Sequence, residues 1–248
     1  MKLYSEYPDA SMSMAASAEL RSLLKDTLKK QQITHVLESG TYLGLGSTTF
    51  VSESFPANSP PNIFVTIETN WMSWHQARKN LLRFPFVEPL WGRTVSVDKA
   101  LRFLESDEVL CRHDKYPDIF IDDTQDPLRF YRNEVLGRLG GTPRRPRALA
   151  HWLFDRTFSR AGDDLLEKYL RKFQTDNPLV ILDSAGGMGF LEFSIVREVM
   201  RNYPYLLLLD DIHHIKHFRS YQHIRKDPQF SIIGLDETQG WLLAKHTR

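Results

Sequence analysis

The stretch ESGTYLGLGSTTF, from Glu38 to Phe50, decides how the rest of this chain is interpreted. It follows a short apolar run and precedes a segment of helical composition. Its three glycines, Gly40, Gly44 and Gly46, allow a sharp turn and a close approach of the backbone, because glycine has no Cβ. The stretch therefore predicts a strand, a tight turn and a helix, with the turn facing either a ligand or a packed neighbour.

Strand-like and helix-like segments alternate along much of the chain. The apolar segments predicted as strands are Ile33–Ser39, Asn62–Glu68, Phe86–Gly92, Leu179–Asp183 and Tyr205–Asp211. Helical spacing or composition predicts helices at 15–32, 47–55, 71–84, 95–106 and 189–202. Strands that alternate with helices need crossover connections, which favour a parallel sheet with helices on both faces.

The closing stretch from Phe230 to Thr247 has two apolar runs joined by a polar turn with Gly240, which predicts an antiparallel hairpin. The predicted fold is α/β: a Rossmann-like, doubly wound sheet of seven strands, five parallel plus the C-terminal hairpin, with helices on both faces and an inserted lid-like segment. IFIDD at 119–123 competes for the place of the fourth strand. We favour Leu179–Asp183, since it puts an acid at the strand tip and keeps the next elements at ordinary spacing.

The chain is interpreted as a single domain over residues 1–248, with an N-terminal helical lead-in over 1–32 and an insertion over 107–177. In the insertion the alternation of strands and helices breaks. Its aromatic and basic side chains suit a lid over an acceptor, a subunit interface or a solvated surface excursion. These side chains are Phe130, Tyr131, Arg144, Arg145, Arg147, Trp152 and Phe154.

Composition and charge exclude several classes of protein. Of the 248 residues, 42% are hydrophobic and 25% are charged, as in an ordinary globular chain. The formal charge of +1 gives no global field to attract nucleic acid or an anionic membrane. The single Cys111 forms no internal disulfide, the start lacks the apolar core of a signal peptide, and the apolar runs are too short to span a bilayer. We expect a cytoplasmic protein with no nucleic-acid or membrane partner; a homo-oligomer stays open.

The glycine turn does not fit a dinucleotide. A pyrophosphate cradle has the spacing G-x-G-x-x-G, whereas this turn has Gly40, Gly44 and Gly46, and Glu38 before it would repel a phosphate. Glu68 ends the second predicted strand, where it can accept hydrogen bonds from ribose hydroxyls. A ligand with a ribose and a positive amino-acid end but no phosphate fits both acids. S-adenosylmethionine has these features.

The turn together with Glu68 resembles the cofactor-binding half of class I S-adenosylmethionine-dependent methyltransferases, and the closing hairpin is similar to theirs. The resemblance implies that Glu38, Gly40 and Gly44 line the methionine half and that Glu68 holds the ribose. Gly92 and Asp98 are weaker candidates near the adenine. The predicted cofactor-binding set is Glu38, Ser39, Gly40, Thr41, Gly44, Ser47, Glu68 and Asp183.

Three acids end the fourth and fifth predicted strands at one edge of the sheet. Asp183, Asp210 and Asp211 would repel one another unless something positive lay between them, and oxygen ligands suit a hard cation such as Mg²⁺. The pattern is similar to that of metal-dependent O-methyltransferases, which often have Asp-Asn where this chain has Asp210-Asp211. Alternatively, one aspartate caps a helix and another binds the cofactor's amino group without a metal.

The segment behind these acids carries candidate catalytic side chains, namely His213, His214 and Lys216. A histidine three residues after a strand-tip aspartate can act as a general base near neutral pH. We favour His214, because some natural-product O-methyltransferases of this class carry Asp-x-x-His here. The alternative is a solvated start of a helix.

Together these features predict an S-adenosylmethionine-dependent methyltransferase acting on a hydroxyl of a small molecule, with assistance from a divalent cation, a histidine base or both. The competing hypothesis is a binding or assembly protein that has kept the fold without catalysis.

Overall fold

The computed structural model describes residues 14–137, 162–184 and 186–247. Its seven strands are β1 (His35–Ser39), β2 (Ile63–Glu68), β3 (Val87–Trp91), β4 (Leu179–Leu182), β5 (Tyr205–Leu209), β6 (Phe230–Asp236) and β7 (Trp241–His246). The described helices are α1 (Ala18–Gln31), α2 (Ser47–Ser52), α3 (Trp71–Asn80), α4 (Val97–Ser106), α5 (Glu108–Cys111), α6 (Pro127–Val135), α7 (Leu165–Phe173), α8 (Gly189–Val199) and α9 (Phe218–Ile224).

All seven strands form one sheet in the order β3-β2-β1-β4-β5-β7-β6. The pairings from β3 through β5 are parallel, and β7 runs antiparallel to both β5 and β6. This confirms the predicted doubly wound sheet with a C-terminal hairpin. It also confirms Leu179–Leu182 as the fourth strand in place of 119–123.

Successive residues of the central strands pack into two separate hydrophobic cores, one on each face of the sheet. Leu37 and Val65 point to one face, where they pack with α7 and α8, while Val36 and Phe64 point to the other, against α1 and α2. Successive side chains of a strand alternate between faces, so both faces of this sheet are covered. The strands are accordingly near-continuous apolar runs, which is why the sequence revealed them.

Pro89 lies inside β3 without disrupting the sheet. It pairs with Thr66 of β2, and β3 is the edge strand at that end. Proline has no N–H to donate, so it is tolerated on an edge strand, where one side of the ladder has no partner.

The register aligns the carboxyl ends of four parallel strands. Ser39 pairs with Ile67 and with Leu182, and Leu182 pairs with Leu209. The residues that follow therefore emerge at the same edge of the sheet. This edge is where ligands bind in open parallel sheets.

The first part of the predicted insertion packs over this edge. Phe120 bridges His214 in the segment after β5, and Ile119 and Tyr131 are buried in a third apolar cluster with Ile215. By contrast, α7 packs directly on the sheet, as an ordinary crossover helix does. The predicted boundaries 107–177 stay a prediction. Arg144, Arg145, Arg147, Trp152 and Phe154 lie outside the described residues.

Within the described ranges, no helix has both the length and the apolar character needed to cross a membrane.

Candidate active site

A cavity of about 590 Å³ opens at the carboxyl edge of the sheet. The loops after β1 to β4, helices α4 and α6, the start of α8 and the segment after β5 all contribute lining residues. Four of the predicted site residues line it, namely Gly40, Glu68, Asp183 and Lys216. Asn70, Thr94, Glu134 and Glu192 also line it, and none of these was singled out from the sequence.

Gly40 is needed for packing as well as for the cavity. Its φ of +92° lies in the region that favours glycine, and an added Cβ would lie 2.3 Å from the carbonyl oxygen of Asp183. Gly44 also has a positive φ, and its Cβ would contact Leu81 rather than the cavity. Gly40 therefore faces the cavity and also packs against a neighbouring loop, whereas Gly44 packs against Leu81.

Glu38 lies beneath the turn and is not among the described residues that line the cavity. Its Oε2 accepts hydrogen bonds of 2.6 Å from the hydroxyls of Thr48 and Thr66, and its side chain is fully buried. Burial raises the pKa of Glu38 from the usual 4.5 to about 7. Thr41 joins the network through Thr66 at 2.6 Å. This geometry suits an internal brace for the turn; direct contact with a cofactor stays a prediction.

Glu68 occupies the tip of β2, as predicted, and faces the cavity. Its two carboxylate oxygens accept hydrogen bonds of 2.7 Å from the backbone N–H groups of Tyr42 and Asn70. Glu68 also lines the cavity, where a carboxylate can accept hydrogen bonds from the hydroxyls of a ligand. Glu68 thus ties the loop after β1 to the loop after β2 and presents acceptors to the cavity.

Glu192, in the first turn of α8, is a buried carboxylate that the sequence did not single out. It accepts hydrogen bonds from Ser39 at 3.0 Å, Ser184 at 2.7 Å and Thr94 at 2.5 Å. Burial raises its pKa above the usual range. The hydroxyl of Ser39 is thus engaged with Glu192, and Ser47 is buried in the first turn of α2. Acidic residues are common in the first turn of a helix, so nothing in the sequence marked Glu192 as a site residue.

The three predicted metal ligands come together. Carboxylate oxygens of Asp183, Asp210 and Asp211 all lie within 4.8 Å of one another. Burial raises the pKa of Asp210 well above its usual range, and the neighbouring carboxylates add to the effect. The donor type suits a hard cation, as the sequence indicated.

A lysine already supplies positive charge to this cluster. The ammonium of Lys216 lies 2.6 Å from Asp211 Oδ2 and 3.4 Å from Asp183 Oδ1. Burial alone would lower the pKa of Lys216, but the carboxylates of Asp211 and Asp183 outweigh it and raise the pKa. Two of the three carboxylates are therefore paired with an ammonium. Since a divalent cation would need the same oxygens, this arrangement does not fit one.

Neither predicted histidine is among the described residues that line the cavity. His213 Nε2 lies 2.7 Å from the carbonyl oxygen of Glu237, towards the hairpin. His214 is 4% exposed, and its Nδ1 accepts a hydrogen bond from the backbone N–H of Lys216. Nε2 must then carry the ring proton of the neutral histidine, 3.2 Å from Asp122 Oδ2.

The partners of His214 form a small polar group at the base of α6. The Tyr131 hydroxyl donates to Asp122 at 3.0 Å and lies 3.5 Å from His214 Nε2. Burial alone would raise the pKa of Asp122, but the hydrogen bonds from His214 and Tyr131 help to lower it below its usual range. This geometry favours a positioning role for His214; the role of base stays a prediction.

Glu134 is the acid that faces the cavity from α6. Its carboxylate lies against Gly186, where an added Cβ would be 1.7 Å from Glu134 Oε2. Burial raises its pKa to about 7; the charge of Asp122 adds to this rise, and Lys216 opposes it. The sequence did not reveal Glu134, because it lies in the segment interpreted as an insertion.

The strand order is that of the Rossmann-like fold of class I S-adenosylmethionine-dependent methyltransferases. An O-methyltransferase from Bacillus cereus, solved with SAH, is similar at 14% identity and a TM-score of 0.48, over 94% of this chain and 82% of that one. TomG, an O-methyltransferase of tomaymycin synthesis from Streptomyces achromogenes, solved with SAM, shares 16% identity at a TM-score of 0.47, over 94% and 82%.

A third similar structure is the SAH-bound Podospora anserina methyltransferase PaMTH1, with 13% identity and a TM-score of 0.47, over 98% of this chain and 84% of that one. No family model matches the sequence. No curated protein matches it either. At these identities the likeness concerns the fold, and the activity has to be argued from the site.

Proposed function

We propose that this chain is an S-adenosylmethionine-dependent methyltransferase that methylates a hydroxyl group of a small molecule. The observation that carries the proposal is the acidic cavity at the carboxyl edge of the sheet, which is lined by Glu68, Glu134 and Lys216. Glu68 would bind the cofactor, and Glu134 with Lys216 would act on the acceptor.

The charged side chains of the cavity fit this cofactor better than a nucleotide phosphate. Glu68, Asp183 and Glu192 line the cavity; Arg93 also lines it, but its guanidinium is paired with Asp163 at 3.3 Å. Carboxylates attract an ammonium and a sulfonium and repel phosphates. Glu68 would accept hydrogen bonds from the ribose hydroxyls, and Asp183 would bind the amino group.

Thr94, Val95 and Val97 also line the cavity and would contact the adenine. They stand beside Gly92 and Asp98, the weaker candidates from the sequence. When bound, the cofactor supplies the methyl group: the carbon–sulfur bond breaks as the carbon–oxygen bond forms, and the electron pair leaves with sulfur.

Glu134 is the group proposed to take the proton from the acceptor hydroxyl. It lines the cavity, and a carboxylate with a pKa of about 7 is matched to proton removal near neutral pH. His214 would hold Asp122 and Tyr131 behind it. The histidine base predicted from the sequence remains the competing assignment. Substitutions of Glu134 and of His214 distinguish the two bases.

Calorimetric titration with S-adenosylhomocysteine tests the cofactor assignment. Wild-type protein should bind one equivalent, and Glu68→Ala should weaken binding by about 1.5–3 kcal/mol, the usual range for hydrogen bonds to a charged group. Glu88→Ala, an exposed carboxylate on the adjoining strand β3, is the matched control and should bind normally. No binding by the wild type would reject the proposal and favour a protein that keeps the fold without the cofactor.

A further inference from the structure

We propose that the ammonium of Lys216 takes the place that a divalent cation would take between Asp183 and Asp211, so that this site works without a metal ion. The inference about metal binding stands on the geometry of the cluster alone. The catalytic consequence drawn from it rests on the proposed function.

The ammonium is held inside the cluster rather than beside it. Its nitrogen lies 2.6 Å from Asp211 Oδ2 and 3.4 Å from Asp183 Oδ1, and Lys216 is only 6% exposed. A lysine has three N–H donors, and these contacts use two of them. Lys216 also lines the cavity, so under the proposed function its third donor would reach an oxygen bound there.

The backbone fixes the lysine in this position. Asp211 has a φ of +56°, which turns the chain back on itself after β5. The returning segment is anchored on both sides, because Ile212 donates to the carbonyl of Gly240 and Ile215 donates to the carbonyl of Phe120, each at 2.9 Å.

A third anchor lies at the start of α8. The backbone of Lys216 packs so closely against Gly189 that an added Cβ there would lie 2.6 Å from the Lys216 carbonyl oxygen. With the backbone held on three sides, the buried side chain of Lys216 starts from a fixed position next to the cluster.

A cation entering the cluster would face two penalties. It would meet the positive charge of the ammonium at close range, and it would take away the carboxylates that keep a buried ammonium stable. The same carboxylates that suggest a magnesium site from the sequence are therefore better explained as partners of Lys216.

Under the proposed function, the ammonium would donate a hydrogen bond to the acceptor oxygen as negative charge develops on it. Removing such a donor typically lowers turnover by about 10²–10³-fold. A metal ion would not be needed for this step.

Titration with Mn²⁺, followed by electron paramagnetic resonance, tests the metal inference directly. Wild-type protein should show no stoichiometric binding at millimolar Mn²⁺, and Lys216→Met should gain one site per chain. The control Lys226→Met, at an exposed position, should behave as the wild type. One tight Mn²⁺ site in the wild type, removed by Asp211→Asn, would overturn the proposal even if Lys216→Met failed to fold. A folded Lys216→Met protein that binds no Mn²⁺ would also overturn it.

The catalytic consequence of the proposal is tested by a separate measurement of turnover. With any acceptor that supports turnover, full activity should persist in excess EDTA, while Lys216→Met should lose turnover and keep its affinity for S-adenosylhomocysteine. Activity that disappears in EDTA and returns with Mg²⁺ would overturn this consequence. If the proposed function fails instead, S-adenosylhomocysteine will not bind at all, and the Mn²⁺ result will be unaffected.

Discussion

Gly40 and Asp183 approach each other so closely that no side chain fits between them: a Cβ on Gly40 would lie 2.3 Å from the Asp183 carbonyl oxygen. The turn after β1 and the loop after β4 are thus packed backbone to backbone beside the cavity. This contact fixes the relative position of the two loops that the proposed cofactor site shares.

Gly40→Ala should therefore destabilise the fold and weaken cofactor binding together. The substitution adds a backbone clash to a φ of +92°, which together should cost at least about 2 kcal/mol of unfolding free energy. Gly46→Ala, where an added Cβ meets no atom within 4 Å, should cost clearly less. Chemical denaturation and calorimetry check both effects. Equal stability of the two variants would contradict this packing.

Glu38 should make the protein less stable as pH rises. The pKa of Glu38 is about 7 in the folded protein, compared with the usual 4.5 in the unfolded chain, so the folded state binds the proton more tightly. This contribution is fully present below pH 4.5 and is lost as pH rises through 7. It amounts to about 3 kcal/mol at 1.36 kcal/mol per pKa unit.

Glu38→Gln removes that titration. Between pH 5 and pH 8, the unfolding free energy of the variant should fall less than that of the wild type, as measured by urea denaturation at both values. Parallel pH dependences would show that Glu38 titrates normally in the folded protein.

Glu134 should control the pH dependence of turnover. The proton-accepting form grows as pH rises through its pKa of about 7, so wild-type turnover should increase up to that pH and then level off. Glu134→Gln should lower turnover by about 10²–10⁴-fold and abolish the rise. The exposed Glu108→Gln is the control. A rise that survives in Glu134→Gln would return the role of base to His214.

His214 should matter for stability more than for proton transfer. His214→Ala removes its hydrogen bonds with Asp122 and the backbone of Lys216, which should cost about 1–3 kcal/mol of unfolding free energy. His213→Ala should cost less, because His213 is only partly buried. Denaturation of both variants, together with their turnover from pH 6 to 9, checks this. A stable His214→Ala protein with greatly reduced turnover would support the histidine base.

The strands of this protein were predictable because both faces of the sheet are covered. Leu179–Leu182 and Tyr205–Leu209 are uninterrupted apolar runs, and such runs are visible without knowing what they pack against. The hairpin was predictable from local turn chemistry at Gly240. The carboxyl edge followed from the alternation of strands and helices, which predicted that Glu68, Asp183 and Asp210 follow strands at the same edge of the sheet.

The sequence by itself determined the strands, the parallel sheet with its antiparallel hairpin and the edge where a ligand would bind, since these follow from periodicity, the alternation of strands and helices, and local turns; the order of the strands came from the tertiary structure. Only the tertiary structure decided which acids reach the cavity and what neutralises them. Glu38 lies beneath the turn, while Glu134 and Glu192 come from distant segments to line the cavity. Lys216 returns to Asp211 because the left-handed turn and the contacts with Gly240 and Phe120 fold the chain back. Side-chain direction and long-range anchoring of this kind leave no periodic trace in a sequence, because they arise only when separate segments pack against one another.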